Sequence, residues 1–187
     1  MVFLDLFKKK KEKKEDLIKK EYIEKEHNCC FDKVDYQFET AFENYCRMFG
    51  KNADDPDSLN EDEFDKIYQY AGNHIGFFMA WIIKHNFEGE IFHDDPEGIE
   101  AVINETMTGT EFVLEYCDGK LWGCDVSDEI FGFVRDYYEN QYLIEYSQWV
   151  IDSLGKVPLE FIGTWEDYHK FEHVIDKAYN NYLKNIN

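Results

Sequence analysis

The sequence predicts a mainly helical, single compact domain of about six to eight helices over residues 31–187, behind a lysine-rich leader over residues 1–30. Three observations predict it. Apolar residues recur at helical spacing along most of the chain, capping residues and Gly or Pro punctuate those stretches, and alternating patterns are nearly absent. With 44% apolar and 18% aromatic residues, the chain can build a sizeable core and is too hydrophobic for a disordered protein.

The leader carries nine Lys against seven Asp/Glu, with i,i+4 pairs such as Glu15 with Lys19 and Glu21 with Lys25 that favour a helix modestly. Val2, Phe3, Leu4, Leu6 and Phe7 precede the lysines, so the segment reads either as a peripheral membrane anchor or as a solvated leader that folds back on its own acidic body. Membrane association is expected only through it.

The first helix of the body is expected over Val34 to Phe49, with Phe38, Phe42, Tyr45 and Phe49 on one face and Gly50 as its stop. Residues 51–60 form an acidic loop with Pro56, and Asn60 with Glu63 resembles a capping arrangement ahead of Phe64, Ile67, Tyr68 and Ala71. The stretch Ile75 to Phe87 is apolar around most of its circumference and is expected to be the central buried helix. Pro96 fits the first position of a helix running to about Met107, after Asp94 and Asp95, which with Glu97 complement its dipole.

Thr110 is expected to cap the segment Glu111 to Cys117, which Asp118-Gly119 ends. Period two competes there, because Phe112, Leu114 and Tyr116 alternate and Asp-Gly could turn a hairpin into Lys120-Leu121-Trp122. Helix is the favoured reading, since strands need partners the chain hardly offers. A helix from Ser127 to Tyr138 and another from about Tyr142 to Leu154 follow, Gly155 and Pro158 break the chain, and Thr164 with Asp167 opens the last helix to about Lys184.

Charge excludes more functions than it suggests. Residues 31–187 carry eleven Lys/Arg against thirty-three Asp/Glu, a field that repels phosphate backbones, so no nucleic acid is expected as a ligand. The same field would steer a basic protein onto the body. The expected contacts are Asp54, Asp55, Asp57, Glu61 and Asp62 in and after the acidic loop, and Asp125, Asp128 and Glu129 further on. Five cysteines, Cys29, Cys30, Cys46, Cys117 and Cys124, show neither a disulfide framework nor zinc-site spacing, and no apolar run reaches the ~18 residues of a membrane span. The expectation is a reduced, cytosolic protein.

One motif invites a catalytic reading. His169-Lys170-Phe171-Glu172-His173 has the H-x-x-E-H order in which inverted zinc peptidases set two ligands and a base on one helical face. The apolar stripe Tyr168, Phe171, Ile175, Ala178 and Tyr182 places His169 and His173 roughly 140° to 180° from its centre, facing solvent, and a third ligand is not at hand. A metal-dependent hydrolase using His169, Glu172 and His173 is therefore the alternative, with no metal or other cofactor and no catalytic residue as the primary expectation. His74 and His85, at the ends of the apolar helix, are read as hydrogen-bonded structural groups. The acidic loop fails as a calcium loop because Pro56 and Asp57 would fall where an oxygen ligand and Gly are needed.

The segments His74-Ile75-Gly76-Phe77-Phe78-Met79-Ala80-Trp81 and Thr108-Gly109-Thr110-Glu111-Phe112-Val113-Leu114, the latter leading to Cys117-Asp118-Gly119-Lys120-Leu121, then Tyr137-Tyr138 with Tyr142 and Tyr146, resemble an uncharacterised bacterial domain family over about residues 33–185. Small acidic domains of this kind are similar to immunity proteins of bacterial toxin systems. The resemblance implies a protein-binding module that neutralises a basic toxin, and it carries over no catalytic residues.

Overall fold

The apolar run at the middle of the chain is the second half of one long helix. A computed structural model describes residues 27–94 and 96–186. In it, the stretches around Phe64 and Ile75 join into α2, Glu61–Lys84, and every residue from Tyr70 to Ile83 is buried. A helix buried around its whole circumference must be surrounded, and the other elements wrap it. Its start is fixed as the sequence predicts: the Asn60 side chain accepts from the Glu63 N–H at 3.0 Å, and Glu63 accepts from the Asn60 N–H at 3.0 Å. Such a cap stabilises a helix by about 1 kcal/mol.

Ahead of α2 lie β1, Cys30–Lys33, and α1, Asp35–Phe49, which stops at Gly50 in the left-handed region at φ 64°. The ring pairs Phe38–Tyr68, Phe42–Phe64 and Tyr45–Tyr70 seat α1 along the first half of α2. The short helix α3, Glu97–Ile103, begins one residue after Pro96 and ends at Asn104, short of Met107. Asp95 lies outside the described residues. Next comes α4, Gly109–Tyr116, whose cap is Thr108 rather than the expected Thr110. Thr108 is extended and exchanges hydrogen bonds with Glu111, whereas Thr110 is already helical and buried, its hydroxyl donating to Asn73 Oδ1 at 3.2 Å. α4 crosses α2 backbone to backbone: a Cβ on Gly76 would stand 2.3 Å from Thr110 Oγ1, and one on Gly109 would stand 2.0 Å from the Gly76 carbonyl oxygen. These glycines are the reason the two helices can touch there.

The segment Glu111 to Cys117 is helical, but Lys120–Trp122 is a strand after all, β2. Its partner is not the preceding segment. Consecutive left-handed residues, Asp118 at φ 52° and Gly119 at φ 66°, turn the chain away from α4, and β2 pairs antiparallel with β1 through Cys30–Trp122, Asp32–Leu121 and Lys33–Lys120. The pairing is irregular between Cys30 and Asp32. The strand partner thus comes from the residues where the leader was expected to end. Residues 1–26, and the membrane-anchor expectation with them, lie outside the described residues.

The two helices expected between Ser127 and Leu154 form one unbroken helical run: α5, Asp128–Tyr137, a π turn at Tyr138–Tyr142, α6, Leu143–Trp149, and a second π turn at Val150–Leu154. The first wide turn lets Tyr137, Tyr138, Tyr142 and Tyr146 all bury their rings, which pack on and around Phe78 and Phe77 of α2. Gly155, left-handed at φ 62°, ends the run. The last helix, α7, Trp165–Ile186, opens as predicted, with the Asp167 carboxylate accepting from the Thr164 N–H and hydroxyl at 3.1 and 2.8 Å. It closes the core by setting Tyr168 and Phe171 on Phe77 and Tyr179 on Trp81. The result is a mainly helical, single compact domain. No helix among the described residues is long and apolar enough to cross a membrane.

Candidate functional site: an acidic groove beside a buried polar network

Where β1 meets α2 and the first π turn, a charged group is held inside the core. Asp32 Oδ2 accepts from His74 Nε2 at 3.0 Å and from the Tyr138 hydroxyl at 2.8 Å, and Oδ1 accepts from the Lys33 N–H at 2.8 Å. The carboxylate orients the His74 ring through Nε2, and Nδ1 has no partner among the described residues. The Tyr142 hydroxyl donates to the His74 carbonyl at 2.6 Å, while Asn73 donates to Tyr146 at 3.0 Å and accepts from Thr110 and from the Gly163 N–H. Burial pushes the Asp32 carboxyl up, but the hydrogen bond and charge of His74, the Tyr138 hydroxyl and the Lys33 N–H outweigh it and hold the group below the ordinary carboxylate value. The side chains of Asp32, Asn73, His74, Thr110, Tyr138, Tyr142 and Tyr146 are all buried, and their hydrogen bonds tie β1, α2, α4 and the π turn together.

A groove of about 580 Å³ opens beside this network, with Val34, Leu114 and Gly119 on its inner wall. Val34 and Leu114 also close over Gly72, the residue before Asn73 and His74. Five carboxylates line the groove, Asp35 from the start of α1, Asp65 from α2, Glu111 and Glu115 from α4, and Asp118 from the turn, together with Tyr68 and Gln69. Against them stands one ammonium, that of Lys120, which is ion-paired and hydrogen-bonded to Asp118. That contact lowers the Asp118 carboxyl and raises the Lys120 ammonium from their ordinary values. Glu111 is engaged by its cap, accepting from the Thr108 N–H at 2.7 Å and hydroxyl at 2.8 Å. Asp65 and Glu115 have no ion-pair partner among the described residues. The wall therefore presents negative charge and an aromatic ring to whatever enters.

Of the contacts expected from sequence, Asp54, Asp55, Asp57, Glu61 and Asp62 are exposed on the loop and the first turn of α2, as are Asp128 and Glu129 at the start of α5. Asp128 pairs with His27 at 3.3 Å. Asp125 is a correction: it is only 2% exposed, its carboxylate accepts from the Trp122 N–H at 2.6 Å, and it cannot touch a partner from there. The turn after β2 needs an acceptor for that N–H, and Asp125 supplies it from inside. Burial pushes its carboxyl up to about 6, against the lowering effect of that hydrogen bond.

His169 and His173 are exposed on α7, as the stripe on that helix predicts. His169 lies between Glu105, 3.1 Å from Nε2, and Glu172, 3.4 Å from Nδ1, and no group of three His, Cys, Asp or Glu among the described residues is placed to hold a metal ion. His85 is hydrogen-bonded to the Trp81 carbonyl at 2.8 Å, and His74 to Asp32, in keeping with the structural role expected of both. Sequence reading missed Asp32 and the groove carboxylates. Glu111 and Glu115 at i,i+4 mark one face of α4, but nothing local joins that face to Asp65 or Asp35.

The fold and site define a mainly helical domain with a charged network locked in its core and an acidic groove at its edge. The chain belongs to a family described as a domain of unknown function, DUF7832, whose model matches residues 30–158. That span begins at β1, ends shortly after the second π turn, and contains the groove and every side chain of the network, with the Gly163 N–H just beyond it. No curated protein and no solved structure matches the chain.

Proposed function

We propose that this domain is a binding module for a basic protein, in its sharpest form a neutraliser of a basic toxin, and that it acts by binding without catalytic residues of its own. The observation that carries the reading is the groove, in which five carboxylates face one lysine already taken by Asp118. Complementary charge would steer a cationic partner to it, and Tyr68 and Leu114 offer apolar contact once docked. The exposed acids of the 54–62 loop extend the attractive field, while the same field disfavours nucleic acid. Five cysteines without a disulfide suit a reducing compartment, and the cytosol is the proposed location.

The test is a titration of the full chain with arginine- and lysine-rich peptides at low and high ionic strength. Binding that weakens steeply with salt, and that is lost when Asp65 and Glu115 are replaced together by Asn and Gln, supports the reading. Absence of binding to any cationic peptide or protein at low salt overturns it.

A further inference from the structure

Resting on the basic-partner reading, the groove also specifies which side chain of that partner it takes. Tyr68 is 39% exposed, and its ring is backed by Phe38 at 4.7 Å between centroids, so the platform is held in place from behind. Asp65 stands one turn earlier on the same helix, and Glu115 comes from α4 on the facing wall.

Elsewhere three aromatic rings carry one of the molecule's own cations: Lys33 lies 5.7 Å from the centre of Tyr36, Lys84 5.2 Å from that of Trp165, and Lys156 4.7 Å from that of Phe161. Among the described residues no cation lies over Tyr68, although five carboxylates line its groove. An aromatic face flanked by ionised carboxylates selects a cation that is flat, delocalised and rich in N–H donors. A guanidinium meets all three requirements, since it stacks on the ring and donates paired hydrogen bonds to carboxylates in the same plane. An ammonium donates three N–H bonds but is neither flat nor delocalised, and its tighter hydration opposes stacking.

We infer that the Tyr68 groove seats an arginine side chain of the partner protein, with its guanidinium over the Tyr68 ring and between Asp65 and Glu115. The remaining length of the groove, toward Val34 and Gly119, receives the residues that flank this arginine.

The experiment titrates the full chain with a short arginine-centred basic peptide, and with the same peptide carrying lysine or citrulline at the central position. Citrulline keeps the shape and removes the charge. The expected result is a loss of about ten-fold or more for citrulline and about three-fold for lysine, with Tyr68→Leu weakening the arginine peptide about three-fold and Tyr68→Phe restoring it. Far-ultraviolet circular dichroism and the melting temperature of each variant show whether it is folded. Tight binding of all three peptides alike, or binding indifferent to Tyr68→Leu but lost on neutralising Asp54, Asp55 and Asp57, overturns the arginine seat while leaving the basic-partner reading intact. Free arginine binding as tightly as the peptide overturns the assignment to a protein partner. Failure of every cationic peptide overturns both.

Discussion

Two aspartates of this domain, Asp32 on β1 and Asp125 just past β2, are both buried, at 8% and 2% exposure, and yet their carboxyl groups move in opposite directions. Asp32 is held below the ordinary value and Asp125 is raised to about 6. Burial acts the same way on both. The difference lies in the donors: Asp32 receives a ring N–H, a hydroxyl and a backbone N–H, whereas a single backbone N–H, from Trp122, is directed at the Asp125 side chain. In a low-dielectric interior each donor favours the ionised form, and desolvation wins where donors are few. Asp65 in the groove differs from both in being exposed, with no ion-pair partner among the described residues.

The strongest way to break the contrast is Asp32→Ala. It leaves His74 Nε2 and the Tyr138 hydroxyl buried without their acceptor and is expected to cost about 3–5 kcal/mol of stability, read from urea denaturation midpoints at neutral pH. Tyr138→Phe removes one donor only. It should cost about 1.5–3 kcal/mol and move the Asp32 carboxyl upward, so that acid unfolding begins at a higher pH than in the parent. A Tyr138→Phe protein with an unchanged acid limb would show that His74 and the backbone suffice.

Asp32 and Asp125 also make opposite contributions to the pH dependence. A carboxyl lowered on folding contributes stability that is present above its unfolded value and lost as pH falls through the folded one, which is the expectation for Asp32. A carboxyl raised on folding binds more protons in the native state, so stability falls as pH rises from about 3.8 toward about 6, which is the expectation for Asp125. Asp125→Asn keeps an acceptor for the Trp122 N–H and removes the buried charge. It should flatten the profile over that window and raise stability at neutral pH by on the order of 1 kcal/mol; a variant less stable than the parent at pH 7 would show that the ionised form is needed. Glu115→Gln is the control on the solvated side. Its unfolding free energy should stay within about 0.5 kcal/mol of the parent, while its affinity for a cationic peptide falls.

Local chemistry was legible to different depths along the chain. Asn60 with Glu63 and Thr164 with Asp167 are caps that need only three residues of context, and both form as read. At α4 the same logic chose the wrong threonine, because Thr110 is consumed by Asn73 of another helix. The expected break before Tyr142 is missing since the core rewards one continuous helix that can insert four tyrosines, and the wide turn at Tyr138–Tyr142 accommodates their spacing. Asp125 is expected on the surface beside Asp128 and Glu129, but the distant segment around Gly89, whose N–H donates to the Asp125 carbonyl, packs against it and helps bury it.

By itself the sequence determined the helical class, the central buried helix, most helix ends and the outward face of His169 and His173, since each follows from periodicity or capping within a few residues. The tertiary structure alone decided the β1–β2 pairing, the internal charge and the groove. Asp32 meets His74 across 42 residues and Tyr138 across 106, and the groove gathers side chains from three helices, a strand and a turn. Partners that distant are chosen by which buried groups can satisfy one another once the core has closed, and no local pattern encodes that choice.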